Sequence, residues 1–168
     1  MFKIRLMQHT DLPAVVRLQD SCYTDEFFEP ASVVRQRLML YPQSCWVASY
    51  QDKIWGYLFS YPSMVGHVNP LGAEFGRYER ADALYLHDMA VSMDARGQGV
   101  AAALLSAAVA CARQLGLSQM ALVAVQQSAS YWQQHGFVEC SSLSAQARLN
   151  LQSYGEGALY LTAPIAAG

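Results

Sequence analysis

Charge is what this sequence has least of. Asp, Glu, Lys and Arg make up 14% of its 168 residues, against about 25% in an ordinary soluble protein. Apolar residues make up 53%. A disordered chain needs the opposite balance, so disorder is excluded and 1–168 is expected to fold as a single domain. A basic surplus is missing as well: 11 Lys and Arg stand against 13 Asp and Glu, a net charge of -2. Duplex nucleic-acid binders neutralise phosphates with such a surplus, so nucleic acid is not an expected partner. Cysteine is sparse and scattered. Cys22, Cys45, Cys111 and Cys140 form no C-x-x-C pair. No metal site and no disulfide framework are indicated, and reduced thiols in a cytoplasm are the default.

Long apolar runs are also absent. One uncharged stretch, Gly97 to Ala112, is broken by Gln98, Gly99 and Ser106. Its apolar part from Val100 would span about 20 Å as a helix, short of the roughly 30 Å of a bilayer core. Met1 to Thr10 alternates Phe2, Ile4 and Leu6 with Lys3 and Arg5. That is a strand pattern rather than a signal peptide, so the expectation is an intracellular protein with no membrane partner.

What is present is a series of strand and helix patterns. Residues 2–7 read as a strand, and Thr10 as the cap of a helix running to about Ser21. A helix is expected after Pro30, with Val34 and Leu38 on one face. Residues 45–50 and 53–60 read as strands around a turn at Gln51-Asp52. Pro62, Gly66, Pro70, Gly72 and Gly76 mark a long loop over 62–81, and long loops in compact domains are often functional. Ala83 to Val91 reads as a strand and Val100 to Gly116 as a helix stopped by its glycine. Met120 to Val125 reads as a buried strand. A short helix over Ser128–Gly136 and closing strands at 137–141 and 158–163 complete an α/β domain.

The segment richest in chemistry is Tyr85-Leu86-His87-Asp88-Met89-Ala90-Val91, followed by Ser92 to Arg96 and then Gly97-Gln98-Gly99-Val100-Ala101. A glycine loop opening a helix presents backbone N–H groups at the positive end of the helix dipole, which suits a phosphate. Gly97-x-Gly99-x-x-Ala102 matches the dinucleotide-binding pattern. That pattern turns directly from strand to helix and places an acid about 20 residues on. Here Ser92 to Arg96 intervene, and the next strand ends Val125-Gln126-Gln127 without an acid.

Arg96-x-x-Gly99-x-Ala101 resembles instead the (Q/R)-x-x-G-x-(G/A) acyl-CoA signature of the GNAT superfamily of N-acetyltransferases. Leu86 to Val91 resembles that superfamily's central strand, which ends in an alanine-valine pair. The helix after it, Met120 to Val125, and Ser128 to His135-Gly136-Phe137 follow in family order. Ile4-Arg5 with Asp11-Leu12 resembles its first strand and helix, and Tyr154 to Ala158 its closing stretch. The resemblance covers nearly the whole chain and is most specific over 84–137. It implies an α/β (α+β) fold: a mixed, mostly antiparallel sheet of six to seven strands, flanked by about four helices and splayed at the central strand.

The resemblance further implies acetyl-CoA as co-substrate. Backbone N–H groups of Arg96, Gly97, Gln98, Gly99, Val100, Ala101 and Ala102 would cradle its pyrophosphate. The strand would splay after Met89. Backbone groups of Met89, Ala90 and Val91 would hold the pantetheine arm, with the Met89 N–H polarising the acetyl carbonyl. A protonated amine needs a base before it can attack. Tyr85 stands where some relatives carry a catalytic Glu. His87 shares its strand face, and histidine is the side chain best matched to proton transfer near pH 7. Asp88, on the opposite face, reads as a structural hydrogen-bond acceptor. The tyrosine that often protonates the leaving thiolate is replaced by Trp132, which reads as packing beside the cofactor. Its neighbour Tyr131 is the remaining candidate acid.

Acceptor specificity in this family lies partly in the loop between the first two helices. Here that loop holds Tyr23, Asp25, Glu26, Phe27 and Phe28, with Glu29 after them, and acids among aromatics suit a cationic amine. His67, Glu74 and Glu79 on the 62–81 loop read as rim or surface, and the lone His9 and His135 as structural. The expected activity is transfer of an acetyl group to a primary amine of a small molecule or a protein. A non-catalytic acyl-CoA-binding or sensor module of the same fold is the alternative. Exposed strand edges in this family often pair, which raises a homodimer as a further expectation.

Overall fold

Seven strands and five α-helices form in the computed structural model, which describes residues 1–22, 29–73, 77–125 and 128–166. The strands are β1 (Lys3–Leu6), β2 (Cys45–Tyr50), β3 (Lys53–Ser63), β4 (Ala83–Val91), β5 (Gln119–Ala124), β6 (Val138–Glu139) and β7 (Leu159–Pro164). The helices are α1 (Leu12–Cys22), α2 (Ala31–Leu40), α3 (Val100–Gln114), α4 (Ala129–Gln133) and α5 (Ala145–Gln152). The sheet order is β1-β2-β3-β4-β5-β7-β6. β1 to β2, β2 to β3, β5 to β7 and β6 to β7 are antiparallel. β4 and β5 are parallel. This is the mixed, mostly antiparallel sheet expected from the sequence. No helix among the described residues is long and apolar enough to cross a membrane.

The chain divides into two units, Met1–Tyr61 with His87–Cys111, and Pro62–Leu86 with Ala112–Gly168. In the first unit, Arg5 makes a two-pronged ion pair with Asp11, both contacts at 2.8 Å. Asp11 also accepts the Gln8 backbone N–H at 2.8 Å. The helical start therefore sits at Gln8 and a 3-10 turn over His9–Asp11, not at Thr10, because Asp11 is the side chain that satisfies the free N–H. Val15 and Leu18 of α1 are buried, as are Val34 and Leu38 of α2. Gln51 adopts φ 54° at the β2–β3 turn, where the hairpin was expected. β2 is buried along Cys45 to Ala48, as a strand covered on both faces must be.

Gly56 of β3 governs how closely α3 approaches the strands. A Cβ there would stand 2.9 Å from Val100 Cγ1 and 3.0 Å from the Ala90 carbonyl oxygen. A strand glycine marks such a close approach.

In the second unit, β5, β7 and β6 pair in that order, and Leu84, Leu122, Phe137 and Leu161 are buried. Gly116, at φ 71°, ends α3. β3 runs through Pro62 to Ser63, so the long loop begins two residues later than the sequence suggested. Its 66–69 part is strapped down. The Gly66 N–H donates to Tyr160 Oη at 3.0 Å, Asn150 Nδ2 to the Val68 carbonyl at 2.8 Å, and Tyr154 Oη to the Asn69 carbonyl at 3.0 Å. α5 is not among the elements that the sequence pattern predicts. Its start is signalled by Ser144, whose hydroxyl accepts the Ala147 N–H at 3.1 Å, but only Ala147 of its eight residues is buried. A helix with so little buried surface carries almost no apolar period to read.

Candidate active site

Pairing divides β4 into two halves. Its parallel register with β5 runs from Ala83↔Gln119 to Leu86↔Leu122, while the strand itself continues to Val91. The paired half is buried, Tyr85 included at 2% exposure. The continuing half, in the first unit, is half-buried at Asp88, Met89 and Val91. The pairing ends at Leu86, three residues before the Met89 departure point expected from the sequence. Alternation along the strand sends Asp88 away from His87, and Asp88 Oδ2 accepts a hydrogen bond from Tyr57 Oη at 2.8 Å. The end of the strand is fixed on both sides. The Ser92 N–H donates to the Trp55 carbonyl at 2.8 Å, and Cys22 Sγ lies 3.7 Å from the Val91 carbonyl oxygen.

Beyond β4 the chain makes a tight 3-10 turn, Met93–Ala95, capped by the Ser92 hydroxyl. Arg96, Gly97, Gln98 and Gly99 follow and are exposed. Gly97 at φ 78° and Gly99 at φ 83° take a left-handed conformation that a Cβ would strain. Neither has a heavy atom within 4 Å of where a Cβ would stand, so the space over both is open to a ligand. α3 starts at once, and the Ala103 N–H is bonded back to the Gly99 carbonyl at 3.0 Å. The N–H groups of Val100, Ala101 and Ala102 precede that bond and have no acceptor within the helix. They carry the positive end of the dipole of a 15-residue helix. This turn meets the physical demands of a pyrophosphate cradle.

A buried polar cluster lies in the same unit. Arg37, on the apolar stripe of α2, forks its two terminal guanidinium nitrogens, Nη1 and Nη2, onto the two carboxylate oxygens of Glu29. Glu29 Oε1 also meets His87 Nε2 at 3.3 Å. All three side chains are nearly removed from water: 1% exposed for Arg37, 7% for Glu29 and 8% for His87. Burial pushes the Glu29 carboxyl up, but the hydrogen bonds and charges of His87 and Arg37 outweigh it and hold the group at about 2. Glu29 is therefore not part of an open acidic loop. Its role was missed in the sequence, although a signal existed: Arg37 falls between Val34 and Leu38 on the buried face, and a buried arginine requires a carboxylate partner.

In the second unit, Tyr131 stacks edge-on with Trp132 at 5.1 Å and lies 4.8 Å from the exposed His135 ring. Trp132 packs against Phe137 at 5.5 Å. Burial pushes the Tyr131 hydroxyl up, so it stays protonated well past neutral pH. Glu79 is exposed, and His67 sits in the strapped loop, 3.1 Å from Asn69 Oδ1. The acceptor-loop residues Tyr23, Asp25, Glu26, Phe27 and Phe28, and Glu74, lie outside the described residues.

A family model for the acetyltransferase (GNAT) family matches residues 12–137, and the chain belongs to that family. No curated protein sequence matches it. Solved structures with this fold include Ard1 from Thermoplasma volcanium, at 16% identity over 99% of each chain and a TM-score of 0.73. Another is the ribosomal-protein-S18-alanine N-acetyltransferase from Escherichia coli, at 16% identity over 100% of this chain and 96% of that one, TM-score 0.69. A third is the GNAT-like decarboxylase GphF in complex with isobutyryl-CoA, at 16% identity over 98% of this chain and 100% of that one, TM-score 0.74.

Proposed function

We propose that this chain is an acetyl-CoA-dependent N-acetyltransferase in which a primary amine attacks the thioester directly. The acceptor is a small molecule, a polyamine-like compound or a protein amino group. The observation that carries this reading is the turn from Arg96 to Gly99. It joins a strand half bearing His87 to the free N–H groups at the head of α3, with two left-handed glycines leaving the surface open. Support also comes from the family and from the isobutyryl-CoA bound by one of the structural relatives.

In this reading, the N–H groups of Gly97, Gly99, Val100, Ala101 and Ala102 hold the pyrophosphate, with the Arg96 side chain beside them; the N–H groups of Arg96 and Gln98, expected in the cradle, are instead bonded to the Met93 and Ala95 carbonyls at 3.3 and 3.2 Å. The backbone of Met89, Ala90 and Val91 aligns the pantetheine arm and acetyl carbonyl. One oriented N–H donor of that kind is worth roughly 10²–10³ in rate. His87 acts as the base that deprotonates the acceptor ammonium, Tyr85 lines the same strand face, and Tyr131 is the candidate for protonating the departing thiolate. Trp132 packs beside the cofactor. The 23–28 segment supplies charge for a cationic acceptor. The four cysteines are free thiols, which suits a cytoplasmic protein.

The test is release of free CoA thiol from acetyl-CoA in the presence of a primary-amine panel. Amine-dependent release, lowered on the order of 10²-fold by His87→Ala mainly below about pH 8, is the expected result. Tight acetyl-CoA binding with no amine-dependent release across the panel would refute it.

A further inference from the structure

The buried Glu29–Arg37 pair does more than neutralise itself. Arg37 already satisfies both carboxylate oxygens of Glu29, yet Glu29 Oε1 keeps a second contact, to His87 Nε2. A charge pair taken this far out of water is costly to build, and a well-packed apolar pair often serves stability as well. We propose that Glu29, braced by Arg37, is a positioning residue that fixes the ring orientation and tautomer of His87, so that Nδ1 is the atom that accepts the acceptor amine's proton. This rests on the reading of His87 as the base.

The Glu29 carboxyl, held ionised at neutral pH, can only accept. Its contact with Nε2 therefore requires a proton on Nε2. In a neutral imidazole with Nε2–H, the basic lone pair resides on Nδ1. The guanidinium of Arg37 has no freedom to reverse this, because both of its forked contacts go to the same carboxylate. Asp88, the next residue on β4, is engaged with Tyr57 and does not compete.

The resulting step balances. Nδ1 takes one proton from the acceptor ammonium, giving a neutral amine and an imidazolium whose Nε2–H still donates to Glu29. The amine lone pair forms the N–C bond to the thioester carbonyl, the C–S bond breaks, and the second amine proton leaves with the CoA thiol. A negative carboxylate against Nε2 stabilises the imidazolium as it forms, while Arg37 keeps that carboxylate from being protonated. The strand lacks a carboxylate at Tyr85, and the fold brings one to His87 from the residues just before α2.

Two measurements on the full chain test this. With ¹⁵N-labelled histidine, the ring nitrogens of the neutral side chains report their tautomers, and the His87 signals are the set lost in His87→Gln. The expected state is Nε2 protonated and Nδ1 bare. Steady-state kinetics with acetyl-CoA and an active amine should show Glu29→Gln lowering kcat by about 10-fold or more. KM for acetyl-CoA should stay within about twofold, with partial recovery in Glu29→Asp. An Nδ1–H tautomer in the unaltered protein overturns the proposal, and does so even if Glu29→Gln fails to fold. An unchanged kcat in Glu29→Gln, in a protein where His87→Ala is crippled, also overturns it. Full activity in His87→Ala refutes instead the base reading on which the proposal rests, whatever the tautomer.

Discussion

Gly56 lies so close beneath Val100 that one added carbon would sit 2.9 Å from Val100 Cγ1 and 3.0 Å from the Ala90 carbonyl oxygen. Three elements meet at that point: β3, the end of β4 and the first residue of α3. The head of α3, which carries the proposed cradle, is thus located by a missing side chain. Gly56→Ala should force α3 outward. Overpacking of this kind costs about 1–3 kcal/mol. The expected outcome is a Tm lowered by several degrees and acetyl-CoA affinity lowered about tenfold or more, with the far-ultraviolet spectrum preserved. A stability loss without any loss of affinity would separate the packing from the cradle.

Gly99 makes a different demand. No atom opposes a Cβ there, but φ is 83°. Asn tolerates that conformation better than most residues, and Asp has nearly the same shape with an added charge. Gly99→Asn should therefore weaken acetyl-CoA binding moderately, through bulk in the open space. Gly99→Asp should abolish measurable binding, because the charge would face a polyphosphate. Titration calorimetry on both variants checks this. Equal affinities would mean that no phosphate lies over Gly99.

Much of this arrangement was readable in the sequence, for physical reasons that differ by element. The bounds of β4 and the head of α3 followed from a nine-residue apolar strand pattern, two glycines and an alanine-rich run with few ambiguities. The glycine turn was readable because left-handed backbone has few residue types to choose from. Two things were not. α5 buries a single residue and so prints no period. Glu29 stands 58 positions from His87, and nothing local distinguishes a carboxylate destined for the core from its acidic neighbours Asp25 and Glu26. Only the arginine on the buried stripe of α2 pointed to it, and pairing across that distance is settled by tertiary packing alone.

Acceptor choice is expected to reside in Asp25 and Glu26. Removing Asp25 and Glu26 as charges, by Asp25→Asn with Glu26→Gln, should raise KM for a cationic amine several-fold. KM for acetyl-CoA should not change. The effect should shrink as salt is added, because salt screens charge attraction across solvent over about 8–10 Å at physiological ionic strength. An unchanged KM for di- or polyamines at low salt would remove this segment from acceptor recognition.

Acid should unfold the protein through Glu29. Its carboxyl sits at about 2 in the folded chain, against an ordinary 4.5. A depressed carboxyl contributes stability that is fully present above its unfolded value and is lost as pH falls through the folded one. The window is therefore about pH 4.5 down to 2, and the shift corresponds to ~3 kcal/mol. Asp11, held low by Arg5 against the opposing effect of burial, adds to the same limb. Glu29→Gln alone leaves Arg37 charged and unmatched, which costs about 3–5 kcal/mol. The double variant Glu29→Gln with Arg37→Met removes both charges and should fold with a Tm near that of the unaltered protein at pH 7. Its Tm should fall less steeply between pH 4.5 and 2. A double variant as acid-sensitive as the original would show that the limb belongs to other carboxylates and that the buried pair is already broken before the fold is lost.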